Sequence, residues 1–161
     1  MIKVIVTPDI IKRAESLYDF GALNGSISKG KSNIYGAIGE MVVAEYFASK
    51  GLNVDFTSTY DYDLIIEGYK IDVKSKQTKV IPQDFYLCSI SSFNTRQNCD
   101  FYFFTRVNKF LKWCYILGYK RKLDFYSEAT FSNKGDLDIN GWPFKGDCWN
   151  LKISGLSEFK T

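Results

Sequence analysis

The chain has 161 residues, of which 45% are apolar and 17% aromatic, so it can form the core of one domain and is not a disordered chain. Its net charge of +3 at pH 7 neither requires nor excludes a nucleic-acid partner. Histidine is absent and the four cysteines are widely spaced, which excludes histidine-dependent nucleophilic catalysis and disfavours a zinc site.

The start of the chain is too short and too interrupted for a signal peptide, and no apolar run is long enough to cross a bilayer. We therefore expect a cytoplasmic protein with reduced thiols, no membrane partner and no organic cofactor.

The predicted elements follow the order helix, helix, strands, helix, strand. A short strand at residues 2–6 precedes a helix from Pro8 to Phe20, which Thr7 caps. Residues 21–33 form a loop rich in Gly, Ser and Lys, and a second helix at 34–50 ends at Gly51. Later elements are strands at 53–57, 62–67, 69–76, 85–90, 100–107 and 112–119, a helix at 121–129 and a last strand at 147–153. This order predicts one mixed α/β domain over residues 1–161, with a central sheet.

A single carboxylate lies in the middle of the second predicted helix, which is apolar on nearly every side. Gly36 and Ala44 flank Glu40 at four-residue spacing, so they share its face and leave room around the carboxylate. A helix without a polar face is normally buried on more than one side. Glu40 therefore needs a partner, and a metal ion or a lysine would serve.

Charged residues also cluster on two successive predicted strands. Asp72 and Lys74 share one face of their strand, because residues two apart point the same way. A tight turn around Gly68 would bring Asp63 beside them, provided that the strand register allows it. The alternative is a surface hairpin with alternating charges, which is very common.

Two carboxylates placed in this way form a hard oxygen site of the kind that Mg²⁺ prefers. The backbone carbonyl of Val73 is a further candidate ligand beside Asp63 and Asp72. A cation in this site could polarise a phosphate ester and lower the pKa of a bound water, which would then attack the phosphate. Lys74 would hold or deprotonate that water, or stabilise charge on the phosphate in the transition state.

These residues resemble the PD-(D/E)xK nuclease superfamily, which has the restriction-endonuclease-like fold. Asp63 matches the first acid, Asp72-Val73-Lys74 matches the (D/E)xK element, and residues 36–51 resemble the Gly-x-x-Gly-Glu helix of Holliday-junction-resolvase-like members. The resemblance covers about residues 30–77, and it departs from the family pattern at Tyr62, where proline is usual.

The resemblance implies a central mixed sheet flanked by α-helices and hydrolysis of DNA phosphodiester bonds with Mg²⁺ or Mn²⁺. It also implies that Glu40 completes the metal site and that the protein is a homodimer. Two alternatives remain open from the sequence, namely a nucleic-acid-binding module that has this fold but no activity, and a nuclease that acts on RNA.

Candidate DNA contacts come from three segments. The lysines of the 21–33 loop either close over a phosphate backbone or belong to a plain connector, and the basic run at 101–122 is either a phosphate-contacting surface or a solvated face. The third segment continues the strand beyond Lys74. The candidate residues are Lys29, Lys31, Lys76, Gln77, Arg106 and Lys109.

Overall fold

The computed structural model describes residues 1–17, 33–57 and 59–159, with the backbone alone for Asn33. Three helices lie in these ranges: α1 (Pro8–Leu17), α2 (Asn33–Ser49) and α3 (Lys122–Glu128). The strands in the same ranges are β1 (Ile2–Ile5), β2 (Val54–Phe56), β3 (Leu64–Ile66), β4 (Tyr69–Thr78), β5 (Leu87–Ser91), β6 (Phe101–Asn108), β7 (Trp113–Arg121), β8 (Thr130–Ser132) and β9 (Cys148–Lys152).

The predicted strands and the last two predicted helices agree with these bounds to within two residues at each end. The end of the first predicted helix and almost all of the predicted 21–33 loop, with Lys29 and Lys31, lie outside the described residues. Strand β8 has no counterpart among the predictions. None of the helices in the described ranges combines the length and the apolar composition needed to cross a membrane.

Six strands form the main sheet, in the order β1-β7-β6-β4-β3-β2. Strands β4 and β6 pair in parallel and the other neighbours pair antiparallel, so the sheet is mixed. Helices α1 and α2 cover one of its faces, where Ile38 and Val42 of α2 join Val73 and Phe103 in one apolar core. The predicted mixed α/β architecture is therefore confirmed.

The second face of the main sheet is covered differently from the expected flanking helices. A three-stranded antiparallel sheet, β5-β9-β8, packs there together with α3, over Tyr102 and Phe104 of β6. The neighbouring Phe103 belongs to the core on the α2 side. Because successive residues of a strand point to opposite faces, an apolar run such as that of β6 has to be covered on both sides.

Helix α2 crosses the sheet at Gly39, where a side chain would not fit. A Cβ atom at Gly39 would lie 2.0 Å from Ser75 Oγ and 2.6 Å from Thr105 Oγ1, and these two hydroxyls are themselves hydrogen-bonded at 2.8 Å. The missing side chain thus lets α2 approach β4 and β6 closely. The next residue, Glu40, is brought against the sheet by the same contact.

We expect Gly39→Ala to lower the free energy of unfolding by about 1–3 kcal/mol, because the added methyl group overpacks this contact. Gly36→Ala is the matched control in the same helix, since no atom from another described segment lies within 4 Å of its Cβ position. That change should raise the free energy of unfolding by about 0.5–1 kcal/mol through helix propensity. Urea denaturation of both variants checks the pair, and equal shifts would contradict the close approach.

Candidate active site

The acidic residue of α2 is buried, as its apolar surroundings predict. Glu40 is 8% exposed, and its Oε2 atom has no hydrogen-bond partner in the part of the chain that the structure describes. Burial, with repulsion from Asp63 and Asp72, raises the pKa of Glu40 to about 9, and the opposing effect of Lys74 is smaller. At neutral pH and without a cation, this carboxyl is therefore protonated.

Asp63 reaches the same region from the connection that leads into β3, the strand next to β4. A tight turn with positive φ at Glu67 and Gly68 joins β3 to β4, as predicted, and pairs Leu64 with Ile71. Asp63 lies just before β3 rather than within it. The alternation of side chains along a strand therefore does not determine where its carboxylate points, contrary to our expectation.

The Asp63 side chain is held by a backbone amide. Its Oδ2 atom accepts a hydrogen bond of 2.7 Å from the Val73 amide, which lies between Asp72 and Lys74. Burial and repulsion from Asp72 raise the pKa of Asp63 to about 7, against the effects of that hydrogen bond and of Lys74. The amide and carbonyl of one strand residue point to the same side, so the Val73 carbonyl is also directed towards Asp63.

Asp72 and Lys74 form an ion pair on one face of β4, as their spacing predicts. The distance from Asp72 Oδ2 to Lys74 Nζ is 2.6 Å, and the side chains are 4% and 19% exposed, respectively. The ammonium also lies 5.9 Å from the ring centroid of Tyr102. Burial raises the pKa of Asp72, while Lys74 and a hydrogen bond from Gln97 oppose that rise.

Gln97 is a site residue that the sequence did not indicate. Its Nε2 atom donates to Asp72 Oδ1 at 3.0 Å and to the Tyr60 carbonyl at 2.8 Å, and its Oε1 atom accepts from Lys74 Nζ at 3.1 Å. The amide thus bridges the acid and the base of the ion pair. Gln97 is 5% exposed, whereas a glutamine in a polar loop is usually solvated, and no local pattern distinguishes it.

The remaining predicted DNA contacts do not form one surface. Lys76, Gln77 and Lys109 are exposed. Arg106 is only 5% exposed because β5 covers it, and Arg106 Nη2 donates to the Leu87 carbonyl at 2.6 Å. Arg106 is thus a buried residue beside β5, and it does not form an open basic surface together with Lys76 and Lys109.

Two lysines of the basic run at 101–122 are bound to other groups of the protein. Lys120 pairs with Glu128 at 2.8 Å, and Lys122 donates to the backbone carbonyl of Gln97. The run is thus not a single cationic face, because each of these two cations already has a partner within the protein.

The donor atoms of this cluster suit a hard divalent cation. Within residues 1–17, 33–57 and 59–159, no three acidic or cysteine side chains are arranged as a ready metal-binding group. Mg²⁺ nevertheless needs only one or two carboxylates together with water. The partnerless Glu40 Oε2 atom and the repulsion between Asp63 and Asp72 are both features that a cation would relieve. The predicted ligands therefore have the chemistry that Mg²⁺ requires: they are Asp63, Asp72, Glu40 and the Val73 carbonyl.

The chain matches no model of a known protein family, and a comparison with curated proteins likewise finds no match.

Proposed function

We propose that the protein is a Mg²⁺-dependent endonuclease that hydrolyses DNA phosphodiester bonds, with Mn²⁺ as a second usable metal. One observation carries the proposal: Asp63, Asp72 and Lys74 are held together around Val73 of β4, and the buried Glu40 of α2 lies near enough for their charges to shift its pKa. Burying three acids beside one lysine is costly for the fold. Strongly shifted carboxyl pKa values of this kind are characteristic of functional sites.

Glu40, Asp63, Asp72 and the Val73 carbonyl would hold the cation, and a bound Mg²⁺ would polarise the phosphate and lower the pKa of a water ligand. Hydrolysis forms a bond from the water oxygen to phosphorus and breaks the bond from phosphorus to a sugar oxygen. The water proton is lost to solvent or to a basic side chain, and the leaving sugar oxygen gains a proton. Lys74, held by Asp72 and Gln97, supplies positive charge where the phosphate gains negative charge.

DNA is the proposed substrate because the residues that resemble the PD-(D/E)xK pattern are the residues that meet in this cluster. The chemistry of the cluster is equally suited to an RNA phosphodiester, so the test has to include both polymers. A homodimer would supply a second copy of the site and allow both strands of a duplex to be cut.

The proposal is tested by incubating the protein with labelled duplex, single-stranded, flapped and four-way DNA, and with matched RNA, in Mg²⁺, in Mn²⁺ and in EDTA. We expect metal-dependent cleavage of at least one DNA substrate and none in EDTA. Cleavage of RNA but of no DNA substrate would show that the substrate is RNA rather than DNA. Binding without cleavage under every metal condition would favour the inactive module and refute the nuclease.

Gln97→Met should lower the kcat for DNA cleavage by about 10- to 100-fold and leave KM nearly unchanged. The change removes the hydrogen bonds that position Lys74 and Asp72, while the buried Gln97 side chain is not placed to contact DNA. The pH profile should shift too, because Asp72 loses a hydrogen bond that favours its ionised form. Gln83→Met, at an exposed glutamine, is the control. A pure KM effect, or no effect, would contradict the positioning role.

A further inference from the structure

A cleft of about 850 Å³ lies beside the far end of β4, away from the carboxylate cluster. We refer to it as the lateral cleft. Its walls contain three aromatic side chains (Tyr86, Trp142 and Phe144) and three basic ones (Lys76, Arg106 and Lys145). Two acidic residues, Asp138 and Asp147, also line it, so the basic side chains outnumber the acidic ones by one. Trp142 is 72% exposed, so a large aromatic surface of the cleft is open to solvent.

Arg106 is a buried cation whose negative partner is missing. Its only hydrogen bond within the described chain is to the Leu87 carbonyl, its Nε atom has no partner there, and no carboxylate of those residues lies within ion-pair distance. Partial desolvation and, after it, repulsion from Arg106 lower the pKa of Lys76, while the carboxylate of Asp138 opposes that shift, so Lys76 and Arg106 are near neighbours. A buried guanidinium without a counter-charge is costly. An anion bound in the cleft would offset that cost.

The lateral cleft lies further along the strand that carries part of the candidate active site. Lys76 lies on the same face of β4 as Lys74 and Asp72, about 13 Å from Asp72 along the strand. A smaller cavity of about 140 Å³ has Lys74, Lys76 and Arg106 among its lining residues, and the last two also line the lateral cleft. A nucleic-acid strand with one phosphate at the carboxylate cluster would have to extend at least about 13 Å in the direction of β4 to meet the cleft.

We propose that the lateral cleft binds an unpaired nucleotide of the substrate strand, with its base against Trp142 and Tyr86 and its phosphate against Arg106. This inference rests on the proposed nuclease function. Aromatic side chains stack on any exposed base, and a guanidinium pairs with phosphate oxygens in a fixed geometry. A base held in a duplex cannot enter such a cleft, so the substrate class is DNA with at least one unpaired nucleotide near the cut.

The test measures binding in EDTA, where no cleavage occurs, by the fluorescence anisotropy of a labelled thymidine octanucleotide. The comparison ligand is an abasic octamer that carries the same phosphates but no bases. We expect the thymidine octamer to bind at least tenfold more tightly, because stacking contributes about 1–3 kcal/mol per base. Trp142→Ala should remove most of that difference, and Arg106→Gln should weaken the binding of both octamers.

Phe110→Ala is the matched control for Trp142→Ala, since Phe110 is a similarly exposed aromatic residue outside the cleft. Because Trp142 is exposed, its variant remains informative even if Arg106→Gln fails to fold. Equal affinities for the two octamers, or an unchanged affinity in Trp142→Ala, would overturn the inference.

The two proposals fail in different ways. Base-dependent binding by a protein that never cleaves DNA in Mg²⁺ would refute the nuclease proposal, and the cleft would remain a single-strand binding site. Cleavage that depends on Asp72, together with base-independent binding, would refute only the proposal that the cleft binds a nucleotide.

Discussion

Asp72→Asn is expected to lower the rate of DNA cleavage by about 10³-fold. The substitution removes the negative charge that holds Lys74 Nζ at 2.6 Å and that would bind the cation, but it keeps an oxygen that can accept from Gln97. Single-turnover cleavage with protein in excess over DNA measures the chemical step directly. The lost rate should not return at higher DNA concentration, because the charge acts on the reaction rather than on strand binding.

The matched control for this change is Asp55→Asn, at an exposed aspartate of β2. It removes the same charge from the same sheet and should leave the rate within about twofold of the original, because an exposed substitution away from the site has little effect. Lys74→Met tests the partner of Asp72, with Lys3→Ala as its exposed control. If the Asp72 and Asp55 variants cleave equally well, the proposed site is wrong.

Glu40→Gln is expected to make the protein more stable than the original at pH 8, and the gain should grow with pH. The pKa of Glu40 is raised to about 9 in the folded state from an ordinary value of 4.5. Below pH 4.5 the group is protonated in both the folded and unfolded states. Between pH 4.5 and 9 the unfolded chain releases a proton that the folded chain keeps, so the free energy of unfolding falls as pH rises. Above pH 9 the contribution levels off.

Glutamine cannot ionise, so the variant lacks this loss of stability. Between pH 5 and pH 8 the difference in unfolding free energy between variant and original should change by on the order of 3 kcal/mol, or roughly 6–12 °C in Tm. Thermal unfolding at several pH values in EDTA measures the change, and Glu45→Gln, on the same helix, is the control. Parallel pH curves for the Glu40 variant and the original would contradict the raised pKa.

Mg²⁺ provides a second measurement on the same pair of proteins. A ligand that binds only the folded state raises Tm, and a cation binds more tightly where the carboxylates are ionised. Mg²⁺ should therefore stabilise the original protein more at pH 8 than at pH 5, and should stabilise Glu40→Gln less at both. The absence of any Mg²⁺ effect on Tm would count against Glu40 as a ligand.

Gly39 connects the fold to these expectations. It lets α2 approach Ser75 and Thr105, and the adjacent Glu40 is thereby buried beside β4 rather than exposed at the helix surface. The stability cost of this carboxylate and the geometry of the proposed site thus have one origin. A natural protein commonly accepts such a cost where function requires it.

The sequence by itself determined where the helices and strands lie and which site residues share one face of β4. Periodic apolar residues located the helices and strands, and the spacing of Asp72 and Lys74 placed both on one strand face. The isolated Glu40 in an apolar helix was correctly expected to be buried. These properties depend on residues that are near neighbours along the chain, where the helix and strand periods alone decide which side chains share a face.

Only the tertiary structure decided which distant segments meet. The parallel pairing of β4 with β6, the second sheet over Tyr102 and Phe104, and the burial of Arg106 all depend on contacts between residues far apart in sequence. Gln97 is the clearest case, because it bridges Asp72 and Lys74 from a loop more than twenty residues away. Local propensity carries no information about such contacts, since they follow from how the apolar faces of whole elements pack together.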